Sequence, residues 1–456
     1  MSVNTNEETI DAFLARCVEN VFPSREFLKA RMAEGKPLSM YVGVDPTGPS
    51  LHMGHAIWLR KLARWQDMGH KAVMLIGDFT AMIGDPTDKG ATRKQLTREQ
   101  VLENCRTYKE QASKFLRFEG ENAAELRFNS EWLSKMNLGD VLNLASHFTV
   151  QQMMERDLFQ KRLRWDVACE NCGKVSRSPI TFASVQNFSS GKINGKFQCS
   201  HCKRMAPLDN DHIFPSSEMA PVYLHEFMYP LMQGYDSVAM DVDGEMGGND
   251  QTFNMLAGRT LMKEMASKEK FVIAYKLLAD ASGKKMGKSE GNVIAFHDSP
   301  DELFGKVMSW TDGMIVNGFE LCTDLPMDEV ARISKSLAKD ETNPRDVKAR
   351  LAKEIVKVFH GDAQAEAAAS RFDSLFRDKK GPDEEQMVEV KVDAAPARLL
   401  EVLVAAGFVQ SKGDGRRQIE QGGVKVDGEV VRDLNATVAP GSVIQKGPRH
   451  FARVTK

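Results

Sequence analysis

The sequence carries no excess of either charge. Its 456 residues include 61 Lys plus Arg against 63 Asp plus Glu, a formal net charge of −2, so no global field draws it toward nucleic acid or an anionic membrane. A polyanionic partner would have to be gripped by local patches. Any apolar run of membrane-spanning length is also missing. Met1 to Glu8 is polar and partly acidic, lacking both the apolar centre of a secretory signal and the Arg-rich pattern of a transit peptide. Cysteines number only seven, an odd count. Without a secretory signal, that count argues for reduced thiols and a cytoplasmic location. The length gives room for about three domains with ample cores.

The organisation reads in four parts. From about residue 38 to 90, strand-like runs Met40–Val44 and Ala72–Ile76 flank an amphipathic segment that starts near Leu51. This β-α-β rhythm predicts a parallel sheet whose ligands sit at the carboxyl ends of its strands. Residues 165–214 change texture to Gly, Ser, Asn, Lys and paired cysteines and read as an insertion within a catalytic domain spanning 1–303. A helical domain over 304–378 follows, with apolar residues at three- and four-residue spacing in Leu351–His360 and Ala363–Phe376. The segment 379–393, which contains Gly381 and Pro382, reads as a linker, and 394–456 as a separate small α+β module.

Two short segments suit phosphate chemistry. In Tyr41-Val42-Gly43-Val44-Asp45-Pro46-Thr47 the chain leaves a strand, and Ser50 is placed to cap the next helix. His52 and His55, three apart, face one side of its first turn. Unpaired N–H groups and the positive helix end would attract phosphate there, and Gly54 would admit a ligand to the backbone. By itself the pattern equally describes two histidines in a capped helix. The second segment, Lys284-Lys285-Met286-Gly287-Lys288-Ser289, is a cationic run between glycines. It suits a loop that closes over a triphosphate and offsets the charge of departing pyrophosphate, although alone it is equally a solvated surface turn. Together, HMGH and KMGKS resemble the HIGH and KMSKS signatures of class I aminoacyl-tRNA synthetases. Met53 replaces one apolar side chain by another, and Gly287 removes a hydroxyl while keeping the loop supple.

In Tyr229-Pro230-Leu231-Met232-Gln233-Gly234-Tyr235-Asp236, the residues Tyr229, Gln233 and Asp236 fall at i, i+4 and i+7 and share one helical face. Apolar neighbours predict a buried helix whose polar stripe needs partners. The stretch YPLMQGYDS is similar to the tyrosine-binding helix of the tyrosyl-tRNA synthetases, a family that has a Rossmann-like parallel-sheet catalytic domain. That resemblance implies further roles. Tyr41 and Asp236 would hold the phenol of L-tyrosine. Thr80, Asp85, Tyr229 and Gln233 would lie around its ammonium group, with Gln251 and Asn129 on the substrate side. Gly43, Asp45, Gly54, Gly248, Asp250 and Met286 would line the ATP site, and His52, His55, Thr47, Lys285, Lys288 and Ser289 would serve the chemistry with Mg²⁺ as escort of ATP. Lys89 and Arg93 match positions near the tRNA acceptor end, though a solvated-surface role suits each as well. Relatives act as dimers, so a homodimer that binds tRNA(Tyr) is expected.

Two further modules have their own chemistry. Cys169-Glu170-Asn171-Cys172 and Cys199-Ser200-His201-Cys202 form paired CxxC knuckles, a donor set for one tetrahedral structural Zn²⁺ that would fold an otherwise polar insert. A pair of disulfides is the competing arrangement. From Pro396 onward the chain resembles an S4 RNA-binding domain, with Arg398, Arg416 and Arg417 as candidate tRNA contacts. Residues 394–456 carry ten Lys or Arg and six Asp or Glu, a local positive excess in a near-neutral chain. Two other functions remain. A tryptophanyl enzyme would lack the Tyr41 and Asp236 pair, and an RNA-binding regulator would have no need of both histidines and the loop lysines.

Overall fold

The computed structural model describes residues 2–85, 96–163, 165–177, 194–209, 213–215, 221–279, 294–376, 387–392, 396–409, 411–447 and 450–455. Two compact units are present, Met1–Asp362 and Ala363–Lys456.

In the first unit the strands are β1 (Val18–Phe22), β2 (Ser39–Val44), β3 (Lys71–Ile76), β4 (Glu125–Phe128), the insert strands β5 (Trp165–Ala168), β6 (Val175–Arg177), β7 (Asn194–Gln198), β8 (Met205–Asp209) and β9 (Ile213–Pro215), then β10 (Gly244–Gly248) and β11 (Phe271–Tyr275). Six of them form one sheet in the order β1-β11-β10-β2-β3-β4, parallel except for β1. Both faces are covered, which is why β3 and β11 read as the unbroken apolar runs AVMLI and FVIAY in place of an alternating pattern. After β2 the chain builds outward to β3 and β4, whereas β10 and β11 are laid down on the other side of β2. This reversal opens a crevice at the carboxyl ends of β2 and β10. Asp45 and Asn249 are the residues that follow these two strand ends. The expected β-α-β unit over 38–90 is present, with the helix Met53–Asp67 between β2 and β3.

Two helices complete the crevice wall, Leu224–Met240 and Thr252–Ala266. They approach closely at glycines: a methyl group on Gly234 would lie 3.0 Å from the Gly258 nitrogen. The helices Pro300–Met308, Ile315–Cys322, Met327–Ala338 and Pro344–His360 also belong to this first unit. The Arg16 guanidinium joins them to the sheet by donating to the carbonyls of Leu325 (2.6 Å) and Phe319 (3.0 Å), which lie at and just past the end of the second of these helices.

The second unit includes nearly all of the helix Asp362–Phe376 and a small α+β fold with strands β12 (Val388–Lys391), β13 (Ala397–Arg398), β14 (Val424–Val426), β15 (Glu429–Val430), β16 (Thr437–Val438), β17 (Val443–Lys446) and β18 (His450–Thr455). The helices expected at Arg398-Leu399-Leu400 and from Gly413 run over Leu399–Ala405 and Lys412–Glu420. Leu399, Leu403, Ile419, Val424 and Ile444 form their common core. Arg398, Arg416 and Arg417 are exposed.

The start of β10 leaves no space for an added methyl group. A Cβ on Gly244 would meet the buried Phe271 ring at 2.0 Å. Gly244→Ala is expected to destabilise the protein by about 1–3 kcal/mol, checked by urea denaturation; unchanged stability would contradict this packing.

Candidate active site

Tyr41 and Asp236 meet at one buried spot. Tyr41 lies on β2 in register with Glu245 of β10. Its hydroxyl is 3.1 Å from Ser237 Oγ and donates to the Gln233 carbonyl at 3.3 Å. It thus reaches the helical turn that carries Asp236. Asp236 is 2 % exposed and accepts from Trp132 Nε1 at 2.8 Å and from Asn129 Nδ2 at 3.4 Å. Burial pushes the Asp236 carboxyl well above its ordinary value, outweighing the two donors that favour the ionised form. Burial also raises the Tyr41 phenol, as do the Glu245 and Asp236 carboxylates.

A second cluster lies at the strand ends. Asp45, just past β2, accepts from Thr80 Oγ1 (2.8 Å) and from Tyr229 Oη (2.8 Å), tying three chain segments together. Gly77 makes the first contact possible, since a Cβ there would lie 2.0 Å from Asp45 Oδ1. Asn129 braces Thr80 through Nδ2 (3.0 Å) and accepts from the Phe79 N–H at 2.9 Å. Asp85 accepts from Arg156 Nη2 (2.9 Å) and Gln251 Nε2 (2.8 Å). Gln233 donates to Glu245 Oε1 (3.0 Å) and accepts from Asn254 Nδ2 (2.9 Å), which also donates to Gln251 Oε1 (2.9 Å). The buried Tyr229 hydroxyl is raised well above its ordinary value by desolvation and by the carboxylates of Asp45 and Asp85. Arg156 already offsets the charge of Asp85, so the Asp45 carboxylate beside the Tyr229 hydroxyl is what makes this end of the crevice acidic. Gly248 gives close access beside Asp250, whose Oδ1 would lie 2.4 Å from a Cβ on that glycine.

The histidine turn differs from the expectation. His52 itself is the N-cap of Met53–Asp67, its Nδ1 accepting from the Gly54 N–H at 3.1 Å, while the His52 N–H donates to His55 Nδ1 at 2.9 Å. Ser50 is not the cap; its hydroxyl pairs with His297 Nδ1 at 3.1 Å. Nor are the N–H groups of the turn unpaired: Met53 donates to the Ile294 carbonyl (2.8 Å) and His55 to the His52 carbonyl (2.7 Å). The physical reason is that an imidazole at the cap replaces the hydroxyl and the following segment supplies a carbonyl. Both Nδ1 atoms act as acceptors, so in the neutral rings the proton sits on Nε2. The rings lie 3.8 Å apart. Gly54 has the His52 ring 3.0 Å from where its Cβ would be. Thr47 donates its N–H to the Asp45 carbonyl at 2.8 Å, and Gly43 is exposed at the end of β2 with open space beside it. Lys285, Met286, Lys288 and Ser289 lie outside the described residues, as do Lys89 and Arg93. The segment just after the lysine run is bonded to the histidine turn, Phe296 N–H to the Leu51 carbonyl at 3.1 Å.

In the insert the four thiols converge, all within 4.8 Å of one another. Each CxxC lies at the tip of a hairpin, β5–β6 or β7–β8, with Gly173 and Lys203 in the left-handed region just after the second cysteine. Cys169 to Cys202 and Cys172 to Cys199 are each 3.7 Å between sulfurs, and all four cysteines are free thiols. Four sulfurs at about 2.3 Å from one tetrahedral zinc would be about 3.8 Å apart, so the donor set fits that ion. The Ser176 hydroxyl, with the Cys202 and His201 N–H groups, holds Cys199 down to about 5.

Trp132, Arg156, Ser237, Glu245, Asn254 and Lys270 complete the network and were not anticipated. The available signals were weak: Glu245 is a carboxylate within a glycine- and methionine-rich strand, and Trp132 lies three residues after Asn129.

The raised Asp236 carboxyl has a consequence for stability. Its folded affinity for protons exceeds its ordinary one, so its contribution is fully present below about pH 3.8 and is lost as pH rises through the folded value. Asp236→Asn is expected to raise Tm at pH 7, with the gain shrinking toward pH 4. A variant less stable than the parent at pH 7 would contradict this environment.

Comparison with known proteins gives the family of the chain. The profile of the class I tRNA synthetases (W and Y) matches residues 33–172 and 193–377, passing over part of the insert, and an S4 domain matches 397–444. A tyrosine–tRNA ligase of Thermotoga maritima is 38 % identical over 99 % of this chain and 98 % of its own length. Tyrosine–tRNA ligase 2 of Vibrio cholerae is 41 % identical over 98 % of this chain and 99 % of its own. Among solved structures, a mitochondrial tyrosyl-tRNA synthetase of Aspergillus nidulans, truncated at its C-terminus, covers 81 % of this chain and 94 % of its own at 21 % identity and a TM-score of 0.56, a likeness of fold. With matches along nearly its whole length, the chain belongs to the class I tRNA synthetases of the tryptophanyl and tyrosyl group, in the family of the tyrosine–tRNA ligases.

Proposed function

We propose that the crevice at the ends of β2, β3 and β10 activates L-tyrosine with ATP and passes it to the 3′-terminal ribose of tRNA(Tyr). The observation that carries this reading is the buried Tyr41 and Asp236 pair. The substrate phenol lies between them, and its ammonium group sits toward Tyr229, Thr80, Asp85 and Gln233, where the Asp45 carboxylate favours a cation. In the first step a carboxylate oxygen of tyrosine attacks the α-phosphorus of ATP in line. The bond to the bridging oxygen breaks and Mg²⁺-pyrophosphate leaves, so catalysis is placement plus stabilisation of charge. His52 and His55 donate from Nε2 to the phosphates, with Thr47 beside them. Lys285, Lys288 and Ser289 supply cationic and hydroxyl donors from the following loop. Gly43, Asp45, Gly54, Gly248, Asp250 and Met286 shape the nucleotide site, with Gln251 toward the substrate. In the second step a ribose hydroxyl attacks the tyrosyl carbonyl and AMP departs. Lys89 and Arg93 serve the acceptor end, and Arg398, Arg416 and Arg417 contact tRNA backbone.

A second copy of the chain completes the enzyme. Leu138 (74 % exposed), Leu142 (62 %), Val150 (62 %) and Leu224 (85 %) stand on the helices Leu138–Ser146, Val150–Met154 and Leu224–Met240, whose residues Leu144, Met153 and Leu231 share one apolar cluster. Large aliphatic side chains left in water on helices that share a core favour a covered face. Zn²⁺ held by Cys169, Cys172, Cys199 and Cys202 would be structural, since four thiolates leave no open position. No described helix is long and apolar enough to cross a membrane, in keeping with a cytoplasmic enzyme.

Two measurements test this reading. ATP–pyrophosphate exchange should depend on tyrosine and be absent with tryptophan or without an amino acid; exchange driven by tryptophan, or RNA binding with no exchange at all, would overturn it. Metal analysis of the purified chain should give one zinc per chain, lost in Cys172→Ser. A parent chain without zinc would refute the knuckle.

A further inference from the structure

Beneath the phenol pocket lies a cation that the reaction scheme does not use. Lys270, immediately before β11, is 0 % exposed, and its ion-pair partner Glu245 on β10 is 2 % exposed. Its ammonium group donates to Ser237 Oγ at 2.6 Å, to the Met255 carbonyl at 3.3 Å, and closely to Glu245 Oε2. An ammonium has three N–H donors and no acceptor, so all three are committed. Ser237 Oγ therefore receives a hydrogen bond from Lys270, and its own proton must go elsewhere. Among the described residues the other polar group in reach is the Tyr41 hydroxyl, 3.1 Å away. Tyr41 Oη then accepts from Ser237 and keeps its own proton to give. Its acceptors in the protein are the Gln233 carbonyl at 3.3 Å, long for an O–H donor, and the Glu245 carboxylate, which Lys270 and Gln233 already engage, so the phenol of a bound substrate competes for that proton.

Stability alone does not account for this pair. Exchanging a buried ion pair for apolar side chains of similar volume is often neutral or stabilising, and the sheet centre around Val272, Ala274 and Met255 is otherwise apolar. What the pair does supply is direction. Two hydroxyls in contact have no fixed sense of donation; a cation that donates to one of them fixes it.

Resting on the reading of Tyr41 and Asp236 as the phenol pair, we propose that Lys270 is a positioning residue for amino-acid selection: held by Glu245, it sets the Ser237 hydroxyl so that Tyr41 presents a donor to the substrate phenol oxygen. Asp236 presents the acceptor. The pocket then offers one donor and one acceptor, which only a group able both to accept and to donate fills. Phenylalanine leaves both unpaired, at a cost that a hydroxyl avoids. Gln233 extends the same network, since its amide joins Glu245 to Asn254 and so to Gln251. One row of hydrogen bonds runs from the phenol end of the crevice to the nucleotide turn.

The test is tyrosine-dependent ATP–pyrophosphate exchange by the full-length chain in four variants: Ser237→Ala, Lys270→Met combined with Glu245→Gln so that no buried charge is left alone, Tyr41→Phe, and Ser237→Ala with Tyr41→Phe. Ser237→Ala leaves the ion pair intact and so keeps the measurement available should the double replacement fold poorly. Ser237→Ala and the charge-free pair are each expected to raise the KM for tyrosine about 10-fold and to lower the preference for tyrosine over phenylalanine by a similar factor, with the KM for ATP unchanged. In the Tyr41→Phe background Ser237→Ala should add little, because the group it orients is gone. Unchanged tyrosine KM in Ser237→Ala, or an effect that adds in full to that of Tyr41→Phe, would overturn the proposal and leave the phenol reading standing. A Tyr41→Phe variant with unaltered tyrosine KM would overturn the phenol reading, and the proposal with it.

Discussion

A carboxylate sealed from water is the constraint to which the rest of the catalytic unit answers. Asp236 loses hydration that an ionised group in an apolar interior regains only through directed partners. Trp132 and Asn129 supply two. Neither satisfies the group fully, and its carboxyl stays raised. A substrate that brings an O–H to the remaining lone pairs recovers free energy that a hydrocarbon ring does not, so the cost of an unsatisfied site becomes the source of selection. The same principle governs the other end of the crevice, where the Asp45 carboxylate lies beside the Tyr229 hydroxyl and favours a cation.

Placement of these groups is a matter of topology. The strand order reverses between β2 and β10, and the side chains at the site come from the ends of strands or from the helices that follow them. Close contacts at glycines set the spacing: Gly77 admits the Asp45 carboxylate, Gly244 admits the Phe271 ring, and Gly234 with Gly258 lets the two wall helices touch. The histidine turn is held by its own side chains, with each Nδ1 accepting a backbone N–H, so that ring orientation is fixed by covalent neighbours in sequence. The segment following the lysine run is fastened to the same turn through Ile294 and Phe296.

Much of this was legible in the chain. Tyr229, Gln233 and Asp236 at i, i+4 and i+7 announced a polar stripe on a buried helix, and the partners that such a stripe requires exist. The apolar run of β3 revealed a parallel sheet because it is buried on both faces. The paired CxxC spacing brought four sulfurs together because a knuckle is a local structure. What could not be read was non-local. Lys270 looks like an ordinary cation flanking a strand, and its burial depends on the preceding helix, Thr252–Ala266, approaching closely enough at Gly258. Ser50 is the better cap on propensity, but its hydroxyl pairs with His297 and the His52 ring takes the cap. Arg156 and Trp132 lie far from their carboxylates in sequence, so only the folded chain reveals them as partners.

The account stands on the claim that the pocket recognises a hydroxyl on an aromatic ring. Calorimetric titration of the whole chain with tyrosine and with phenylalanine, without ATP, tests it most directly. Tyrosine should bind and phenylalanine should be weaker by at least about two orders of magnitude; equal affinity for the two amino acids would contradict it.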